Sequence, residues 1–547
     1  MFSHFSVCSP LQKIFESTLP IFENYKKTSA LLGEEISFQI AFRTSQNIPS
    51  PCEIKIDFES DGLEVSLYRV VSLPSKMPIY PICKDEGYLT KKPNLFPEML
   101  SPIQNGSVFA SNCLTAVIWV NVKVPENISG GKKTLKFSLK EPLSEMQTEF
   151  EFVVDVIESV LPQNKLPITI WFHYDCLIDR YNLTAFSEEF WEVVGRFIDA
   201  FKRCGGTMLL TPIFTPPLDT KEGEERTTVQ LIKVKKNGEK YTFDFSLFDK
   251  FIAFAKDRGI EFFEISHLFT QWGAKHAPKI IAEVNGEEKR IFGWETDVRD
   301  KDYGEFLSQF LPLFTKHLKD LGIADCCYFH ISDEPNRDAL ESYGHAKSLV
   351  QNHLEGFKII DALSNFDFYK KGIVTLPVVA NDAIEPFLKA KAEIFCYYCC
   401  MQYKNGVSNR FYSMPSSRNR IIAYQMFYNN IKGFLQWGFN FYNSQLSVQK
   451  INPFVTTDAL GAFPSGDAFI VLPSNDKKPI YTVGGMVFSN AMQDLRAMQL
   501  LESLKGTAAV KKIIKKYIGN ASFNNSLISS EIILKMREEI NEAIRKQ

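Results

Sequence analysis

The sequence has no run of the roughly 18 or more uncharged apolar residues that a membrane-spanning helix needs. Its first residues, Met1 to Cys8, contain neither a basic region nor a continuous apolar stretch, so no secretory signal is visible. Strong net charge is missing as well, because 62 lysines and arginines against 64 acids leave a formal charge of −2. That balance gives no electrostatic reason to expect nucleic acid or an anionic membrane as a partner. We therefore predict a cytoplasmic protein.

Cysteine pairs at zinc-binding spacing are also missing. The 11 cysteines include adjacent pairs at 326/327 and 399/400, but the one C-x-x-C arrangement, Cys396 to Cys399, has no second pair to complete a zinc site. An odd number of cysteines, several inside apparent strands, is typical of reduced thiols rather than of a disulfide framework. We predict no metal and no cofactor.

Two kinds of hydrophobic pattern divide the chain. At 547 residues, 45% of them hydrophobic, it is long enough for two or three folded domains. Residues 1–160 alternate apolar and polar side chains, with turn residues such as Ser129-Gly130-Gly131 between the runs, and this predicts an antiparallel β-sandwich. The clearest alternating runs are residues 35–43, 62–69, 114–124 and 133–139.

From residue 161 to 505, strand-like runs alternate with amphipathic helices, the pattern of a parallel sheet. The predicted strands are Ile168–Tyr174, Thr207–Phe214, Glu261–Phe269, Cys326–Ser332, Phe357–Leu363, Val374–Ala380, Ala392–Cys400 and Gly433–Tyr442. They fit a (β/α)8 TIM-like barrel; the alternative, an open doubly wound sheet, lacks a glycine-rich phosphate motif. A turn at 236–238 predicts an inserted β-hairpin, and residues 506–547 predict a short, charged helical appendage with a solvated basic face.

One stretch carries the strongest candidates for chemistry. Residues 326–332 predict a buried strand, and Asp333, Glu334 and Pro335 stand directly after it. A helix predicted over residues 338–354, with Asp338 as its N-cap, follows. Acids between a strand and a helix lie where α/β barrels keep their catalytic groups. The structural alternative is that Asp333 caps the helix and Glu334 is a solvated acid in its first turn.

Other candidates lie at the ends of the third and eighth predicted strands. His267 is near the end of the third and Trp272 follows it shortly after, and Trp437 and Asn440 lie towards the end of the eighth. Aromatic rings suit the apolar faces of sugars, and a few polar groups fix the orientation of a bound ligand, so these residues predict a carbohydrate pocket. Each also has an ordinary structural interpretation, as a core histidine or tryptophan or as an asparagine in a turn.

The seventh predicted strand contains Tyr397 and Tyr398. Because side chains alternate along a strand, only one of them can face the barrel mouth, and we predict Tyr398. Asp467 is expected to support a turn, or to hold a residue that itself contacts the ligand, rather than to act as an acid. His330 could join the two acids in a metal site, but the spacing lacks the i, i+4 arrangement of a helical metal motif, so no metal ligand is predicted.

The adjacent carboxylates restrict the mechanism. They can face one substrate only if the strand has ended or bulged, which Pro335 favours. They also lie too close together for an inverting glycosidase, in which a water molecule enters between acid and base. A substrate that supplies its own nucleophile fits better: its 2-acetamido group attacks the anomeric carbon, one acid orients the amide, and the other is general acid/base. The negative charge of one carboxylate would raise the pKa of its neighbour and keep that neighbour protonated near neutral pH.

Three motifs resemble glycoside hydrolase family 123 and the related DUF4091 domain: Asp333-Glu334-Pro335, Trp437-Gly-Phe-Asn440, and Pro464-Ser-Gly-Asp467 with Pro473 nearby. The resemblance covers about residues 160–505. It implies a retaining β-N-acetylgalactosaminidase that works by substrate-assisted catalysis on a (β/α)8 barrel preceded by a sandwich. It further implies that Asp333 orients the acetamido group and that Glu334 is the general acid/base.

One departure from the family pattern precedes the last long helix. The resemblance implies an Arg and a Glu where this chain has Gly484 and Met486. This difference leaves the sugar specificity open. The alternatives to a galacto-type hexosaminidase are a glycosidase of the same fold with another substrate and a non-catalytic carbohydrate-binding protein. The sequence carries no prediction about oligomeric state.

Overall fold

Two five-stranded sheets form the N-terminal part of the molecule, whose computed structural model describes residues 1–19, 24–335 and 339–546. Their strands are β1 Phe2–Cys8, β2 Lys27–Leu32, β3 Glu35–Thr44, β4 Cys52–Glu59, β5 Glu64–Ser75, β6 Asn94–Pro102, β7 Ser107–Ala110, β8 Ala116–Lys123, β9 Gly131–Lys140 and β10 Gln147–Val160. The sheet orders are β1-β3-β8-β5-β6 and β2-β10-β9-β4-β7. Paired strands are antiparallel, as predicted, apart from the parallel pair β2 and β10.

Apolar side chains from these two sheets pack face to face. Phe38 of β3 stacks on Phe152 of β10 with ring centroids 3.9 Å apart, and it meets Phe137 of β9 edge-on at 5.8 Å. Along β4, buried Cys52, Ile54 and Ile56 alternate with exposed charged residues. Because successive side chains of a strand point to opposite faces, this alternation lets each sheet bury one face and solvate the other.

A nearly closed barrel of eight parallel strands follows, in the order β11-β22-β21-β20-β19-β18-β15-β12. The strands after the sandwich are β11 Ile168–Ile170, β12 Met208–Thr211, β13 Lys233–Asn237, β14 Lys240–Asp244, β15 Phe262–Ile265, β16 Ile280–Val284, β17 Glu287–Phe292, β18 Cys327–Phe329, β19 Lys358–Ala362, β20 Leu376–Ala380, β21 Phe395–Tyr397, β22 Gly433–Gln436, β23 Val471–Pro473 and β24 Pro479–Tyr481. Between β11 and β12, the Thr207 amide donates to the Ile168 carbonyl at 2.9 Å.

Helices surround the barrel and complete the C-terminus. They are α1 Tyr174–Tyr181, α2 Glu188–Arg203, α3 Ser246–Asp257, α4 Lys301–Asp320, α5 Leu340–Val350, α6 Phe366–Lys370, α7 Glu385–Lys389, α8 Ser416–Arg420, α9 Ile422–Tyr428, α10 Val483–Lys505, α11 Thr507–Ile518 and α12 Ser530–Arg545. The predicted N-cap Asp338 lies outside the described residues, and α5 begins at Leu340. Within the described part of the chain, no helix is long and apolar enough to cross a membrane.

All eight predicted barrel strands are present, but most end earlier than the sequence suggests. β11 ends at Ile170 rather than at Tyr174, and β22 at Gln436 rather than at Tyr442. The residues beyond the ladders remain apolar because they pack on neighbouring loops and helices, so hydrophobicity alone does not mark the end of a strand. The predicted hairpin at 236–238 is confirmed as β13 and β14, and they join β16 and β17 in a four-stranded sheet.

The predicted helical C-terminus is confirmed, and its helices pack closely on the rest of the molecule. Helix α12 buries Arg537, which binds Glu34 of the sandwich at 2.7 Å and Asp494 of α10 at 3.0 Å. Arg420 of α8 pairs with the same Asp494 at 2.7 Å. Helices α8, α10 and α12 and the sandwich are therefore connected through buried ion pairs, and losing one partner of such a pair is costly.

Gly484 and Met486 lie at the start of α10, between barrel and sandwich. The Gly484 amide donates to the Glu98 carboxylate of β6 at 3.0 Å, and Met486 is buried. Glu98 also forms a buried ion pair with Lys13. The departure from the family pattern therefore lies at the contact between the domains, and the expectation that it bears on sugar specificity finds no support in these contacts.

Candidate active site

A cavity of about 120 Å³ opens at the C-terminal end of the barrel strands. Four of the predicted site residues line it: Trp272, Asp333, Glu334 and Trp437. Its wall also includes Asp219, Gln271, Tyr397, Cys399, Cys400 and Phe463. Carboxyl, amide and aromatic groups thus converge on one concave surface at the end of the barrel where such folds bind their ligands.

The two acids share this cavity because the strand has ended before them. β18 stops at Phe329, and Glu334 has a left-handed φ of 42°, which turns the chain out of the alternation that would place neighbours on opposite faces. The Trp272 amide donates to the Asp333 carbonyl at 2.7 Å and joins the third and fourth barrel loops. A non-glycine residue in this region is uncommon and costs conformational energy, and such residues cluster at functional sites.

Tyr397, and not the predicted Tyr398, reaches the cavity. Its hydroxyl group donates to the Glu334 carboxylate at 2.7 Å. Tyr398 points the other way, is fully buried, and packs on Phe434 with ring centroids 5.0 Å apart. Alternation along β21 was the correct argument, but it could not say which of the two tyrosines faces inward. The prediction of Tyr398 as a substrate contact is wrong.

The environment of the pair favours retention of a proton. Burial raises the pKa of Asp333 well above its usual value, the neighbouring Glu334 raises it further, and His330 acts in the opposite direction. Burial also raises the pKa of Glu334, although the hydrogen bond from Tyr397 opposes that shift. Protein atoms surround both carboxyls closely, but Glu334 remains accessible at the cavity mouth and Asp333 is partly accessible, so one carboxyl of the pair can hold a proton where substrate can reach it.

A buried charged cluster lies beneath the pair. The His330 imidazole binds Glu264 at 2.6 Å through Nε2 and Asp361 at 3.3 Å through Nδ1. Asp361 also accepts the backbone amide of Ile331 at 2.9 Å and the hydroxyl group of Tyr343. This cluster fixes the chain segment that leads into Asp333. Among the described residues, no group of three or more His, Cys, Asp or Glu side chains is arranged to hold a metal ion.

The glycoside hydrolase 123 catalytic-domain model matches residues 171–501, more than half of the chain. The chain belongs to glycoside hydrolase family 123. A solved structure of a family 123 glycoside hydrolase from Clostridium perfringens, reported for glycolipid glycan hydrolysis, has a TM-score of 0.75 at 16% identity, over 99% of this chain and 98% of that chain. It supports the fold. β-Glucuronidases from Bacteroides uniformis and Parabacteroides merdae reach TM-scores of 0.32 and 0.30 at 8% and 9% identity, over 90% of this chain and 49% and 52% of theirs.

No functionally curated protein matches the sequence. Membership of family 123 makes the protein a glycoside hydrolase that acts on a glycan.

Two predicted contact residues of this family 123 enzyme lie outside the cavity wall. His267 is buried and stacks on His330 with ring centroids 4.2 Å apart. Burial lowers its pKa well below the usual value, and the charge of His330 lowers it further, so His267 is a neutral core residue. Asn440 is fully buried, and its side chain bonds both backbone groups of His173. It accepts the His173 amide at 2.8 Å and donates to the His173 carbonyl at 3.0 Å. Both predictions of substrate contact are corrected: these side chains support the barrel.

One acid of the cavity wall, Asp219, was missed from the sequence, and Asp467 has the supporting role that was one of its two expected roles. Asp219 follows β12 in a loop and faces the cavity, and burial raises its pKa to about 6 although Arg226 opposes that shift. Asp467 is fully buried behind the wall and accepts the Trp437 indole N–H at 2.8 Å. The Pro216-Pro217-Leu218-Asp219 segment, an acid just after a barrel strand, was a usable signal for the first. The contact of Asp467 with Trp437 joins residues 30 positions apart and has no local signal.

His330 gives this family 123 enzyme a measurable pH dependence of stability. Burial alone would lower its pKa, but Asp361 and Glu264 outweigh burial and raise it to about 9. A folded pKa above the unfolded value of about 6.5 means that the stabilisation is complete below pH 6.5 and is lost as pH rises through 9. We expect His330→Gln to lower the free energy of unfolding by about 3 kcal/mol more at pH 6 than at pH 10.

Urea unfolding of wild type and His330→Gln across this pH range measures the difference, with the exposed His4→Gln as control. A His330→Gln effect that stays constant from pH 6 to pH 10 would show that the imidazole is not held in its charged form.

Proposed function

We propose that this enzyme removes terminal β-linked N-acetylgalactosamine by a retaining, substrate-assisted mechanism. The two neighbouring carboxyls share one proton, which Glu334 carries when substrate is bound. The Asp333 carboxylate then orients the 2-acetamido group and stabilises the charge that forms when the acetamido carbonyl oxygen attacks the anomeric carbon. Glu334 protonates the leaving oxygen and then activates water to open the oxazoline intermediate. The observation that carries the proposal is the placement of these two adjacent carboxyls, with raised pKa values, in one cavity at the barrel mouth.

Adjacency of the acids is the main argument for a nucleophile supplied by the substrate. A double displacement through an enzyme nucleophile requires two carboxyls on opposite sides of the glycosidic bond, about 5 Å apart. An inverting enzyme requires a larger distance between its two carboxyls. Side chains of neighbouring residues approach a sugar from the same side. A 2-acetamido group brings the nucleophile to the opposite face of the ring within the same molecule, and well-oriented intramolecular attack is strongly favoured.

The rest of the cavity suits a single sugar ring. Trp437, fixed by Asp467, and Trp272 offer aromatic surface for the apolar face of a pyranose. Asp219 and Gln271 supply polar groups for hydroxyls. The galacto configuration rests on the motif resemblance to family 123. Glycolipid glycans, the substrates named for the Clostridium perfringens enzyme, are the first natural class to test.

Hydrolysis of a set of aryl glycosides tests this proposal. We expect turnover of the β-N-acetylgalactosaminide, weaker turnover of the β-N-acetylglucosaminide, and at least about 10³-fold less for the β-galactoside, which lacks the acetamido nucleophile. The measurement is kcat/KM from aryl alcohol release. Equal rates with and without the acetamido group would reject substrate assistance, and sugar binding without turnover of any member would favour a binding protein.

A further inference from the structure

The loop that joins β5 to β6, residues 76–93, leaves the sandwich and packs on the barrel loops after β21 and β22. We call it the bridging loop. Its Asp85 forms an ion pair with Arg418 at 2.7 Å, and both side chains are almost completely buried. Its Met77 amide donates to Asp458 at 3.1 Å. A separate apolar cluster seals the contact and consists of Ile79, Cys83, Tyr403, Phe411 and Met414.

Tyr80 of the bridging loop lies where the two barrel loops meet. Its hydroxyl group donates to the carbonyl of Ala462, in the loop after β22, at 3.1 Å. The same hydroxyl group lies beside the thiol of Cys400, in the loop after β21. Ala462 directly precedes Phe463, and both Phe463 and Cys400 line the cavity. Tyr80 thus contacts both loops that form this wall, since its hydroxyl group bonds the loop after β22 and its ring meets Tyr403, in the loop after β21, with centroids 5.0 Å apart.

The wall held by Tyr80 also supports the aromatic surface of the cavity. The Phe463 ring packs on Trp437 with centroids 5.1 Å apart. Burial raises the pKa of Tyr80 and the neighbouring Cys400 thiol raises it further, so the hydroxyl group stays protonated and remains a donor at neutral pH. A displaced Phe463 would change the packing of Trp437, and therefore the surface offered to the sugar.

We propose that Tyr80 is a positioning residue of the active site: its hydroxyl group holds Phe463 and Cys400 in the places where they shape the substrate cavity. The N-terminal sandwich therefore takes part in substrate binding without contacting the substrate. This inference rests on the proposed function in one respect only, namely that the cavity is the substrate site. It does not depend on which sugar is bound.

Tyr80→Phe removes the hydroxyl group and keeps the ring, and Tyr88→Phe is the matched control. Tyr88 belongs to the same loop and donates its hydroxyl group to the Tyr403 carbonyl at 2.5 Å, but Tyr403 is not among the residues of the cavity wall. We expect Tyr80→Phe to raise KM about 5- to 10-fold with kcat nearly unchanged, because it affects binding rather than proton transfer. Tyr88→Phe should leave KM near the wild-type value.

A second readout works without turnover. Alkylation of the peptide that contains Cys399 and Cys400 by iodoacetamide, followed by mass spectrometry, reports how tightly the wall is held, and exposed Cys113 is the internal reference. We expect several-fold faster labelling of that peptide in Tyr80→Phe and no change in Tyr88→Phe. Identical labelling rates in wild type and both variants would overturn the role of Tyr80. If the enzyme turned over none of the aryl glycosides, the proposed function would be rejected, but the labelling experiment would still test the role of Tyr80.

Discussion

Glu334→Gln is expected to lower kcat/KM by about 10³-fold on an aryl glycoside with a poor leaving group and far less on one with a dinitrophenyl leaving group. The glutamine keeps the size of the side chain but has no proton to donate to the glycosidic oxygen. A leaving group that departs without protonation does not need that proton. The measurement is kcat/KM across a series of leaving groups, with the first chemical step followed by release of the aryl alcohol.

Glu341→Gln is the matched control, since Glu341 is an exposed acid on α5 that pairs with Arg299. Its kcat/KM should equal that of wild type across the series. A Glu334→Gln loss that is equally large for good and poor leaving groups would contradict the role of general acid. It would indicate instead that the carboxylate stabilises charge or binds the ring.

Asp333→Asn is expected to lower kcat/KM by about 10²- to 10³-fold whatever the leaving group. The proposed role of Asp333 is to orient the acetamido group and to stabilise positive charge as the oxazoline ring forms. The asparagine amide has the same shape and can still orient the acetamido group, but it lacks the negative charge that stabilises the forming oxazoline. Every substrate that reacts through its acetamido group needs this stabilisation, so the penalty should not depend on how easily the aryl group leaves.

The same leaving-group series measures the effect of Asp333→Asn. In a plot of log kcat/KM against the pKa of the leaving group, we expect the line for Asp333→Asn to run parallel to the wild-type line and below it. A penalty that disappears with the dinitrophenyl glycoside would mean that Asp333, rather than Glu334, donates the proton. The two assignments would then have to be exchanged.

The sequence was sufficient to predict the architecture because the relevant signals are local. Period-two alternation marks the sandwich strands, and the eight apolar runs interspersed with amphipathic helices mark the barrel. Asp333 and Glu334 could be found because an acid pair after a buried strand and before a helix is itself a local pattern. Ser187 at the start of α2 accepts the Phe190 amide at 3.2 Å, a cap that the local sequence also encodes.

The rest of the site depends on contacts between distant residues, and a single sequence does not encode them locally. Tyr397 and Tyr398 are equivalent in pattern, and only the packing of Tyr398 on Phe434 decides which one turns outward. His267 was predicted to contact the substrate because it lies at the end of a barrel strand, but its stacking on His330 places it in the core. Tyr80 is separated by 382 residues from the carbonyl it binds, so its place at the cavity wall became visible only in the folded chain.

Fluorination of the acetamido group gives the sharpest test of its proposed role as the nucleophile. Replacing acetyl by mono-, di- and trifluoroacetyl on the same aryl β-N-acylgalactosaminide withdraws electron density from the carbonyl oxygen step by step, with little change in size. If the acetamido oxygen is the nucleophile, kcat/KM should fall steeply and monotonically through the series. A kcat/KM that stays level from acetyl to trifluoroacetyl would contradict that role, because the substrate would then not supply the nucleophile.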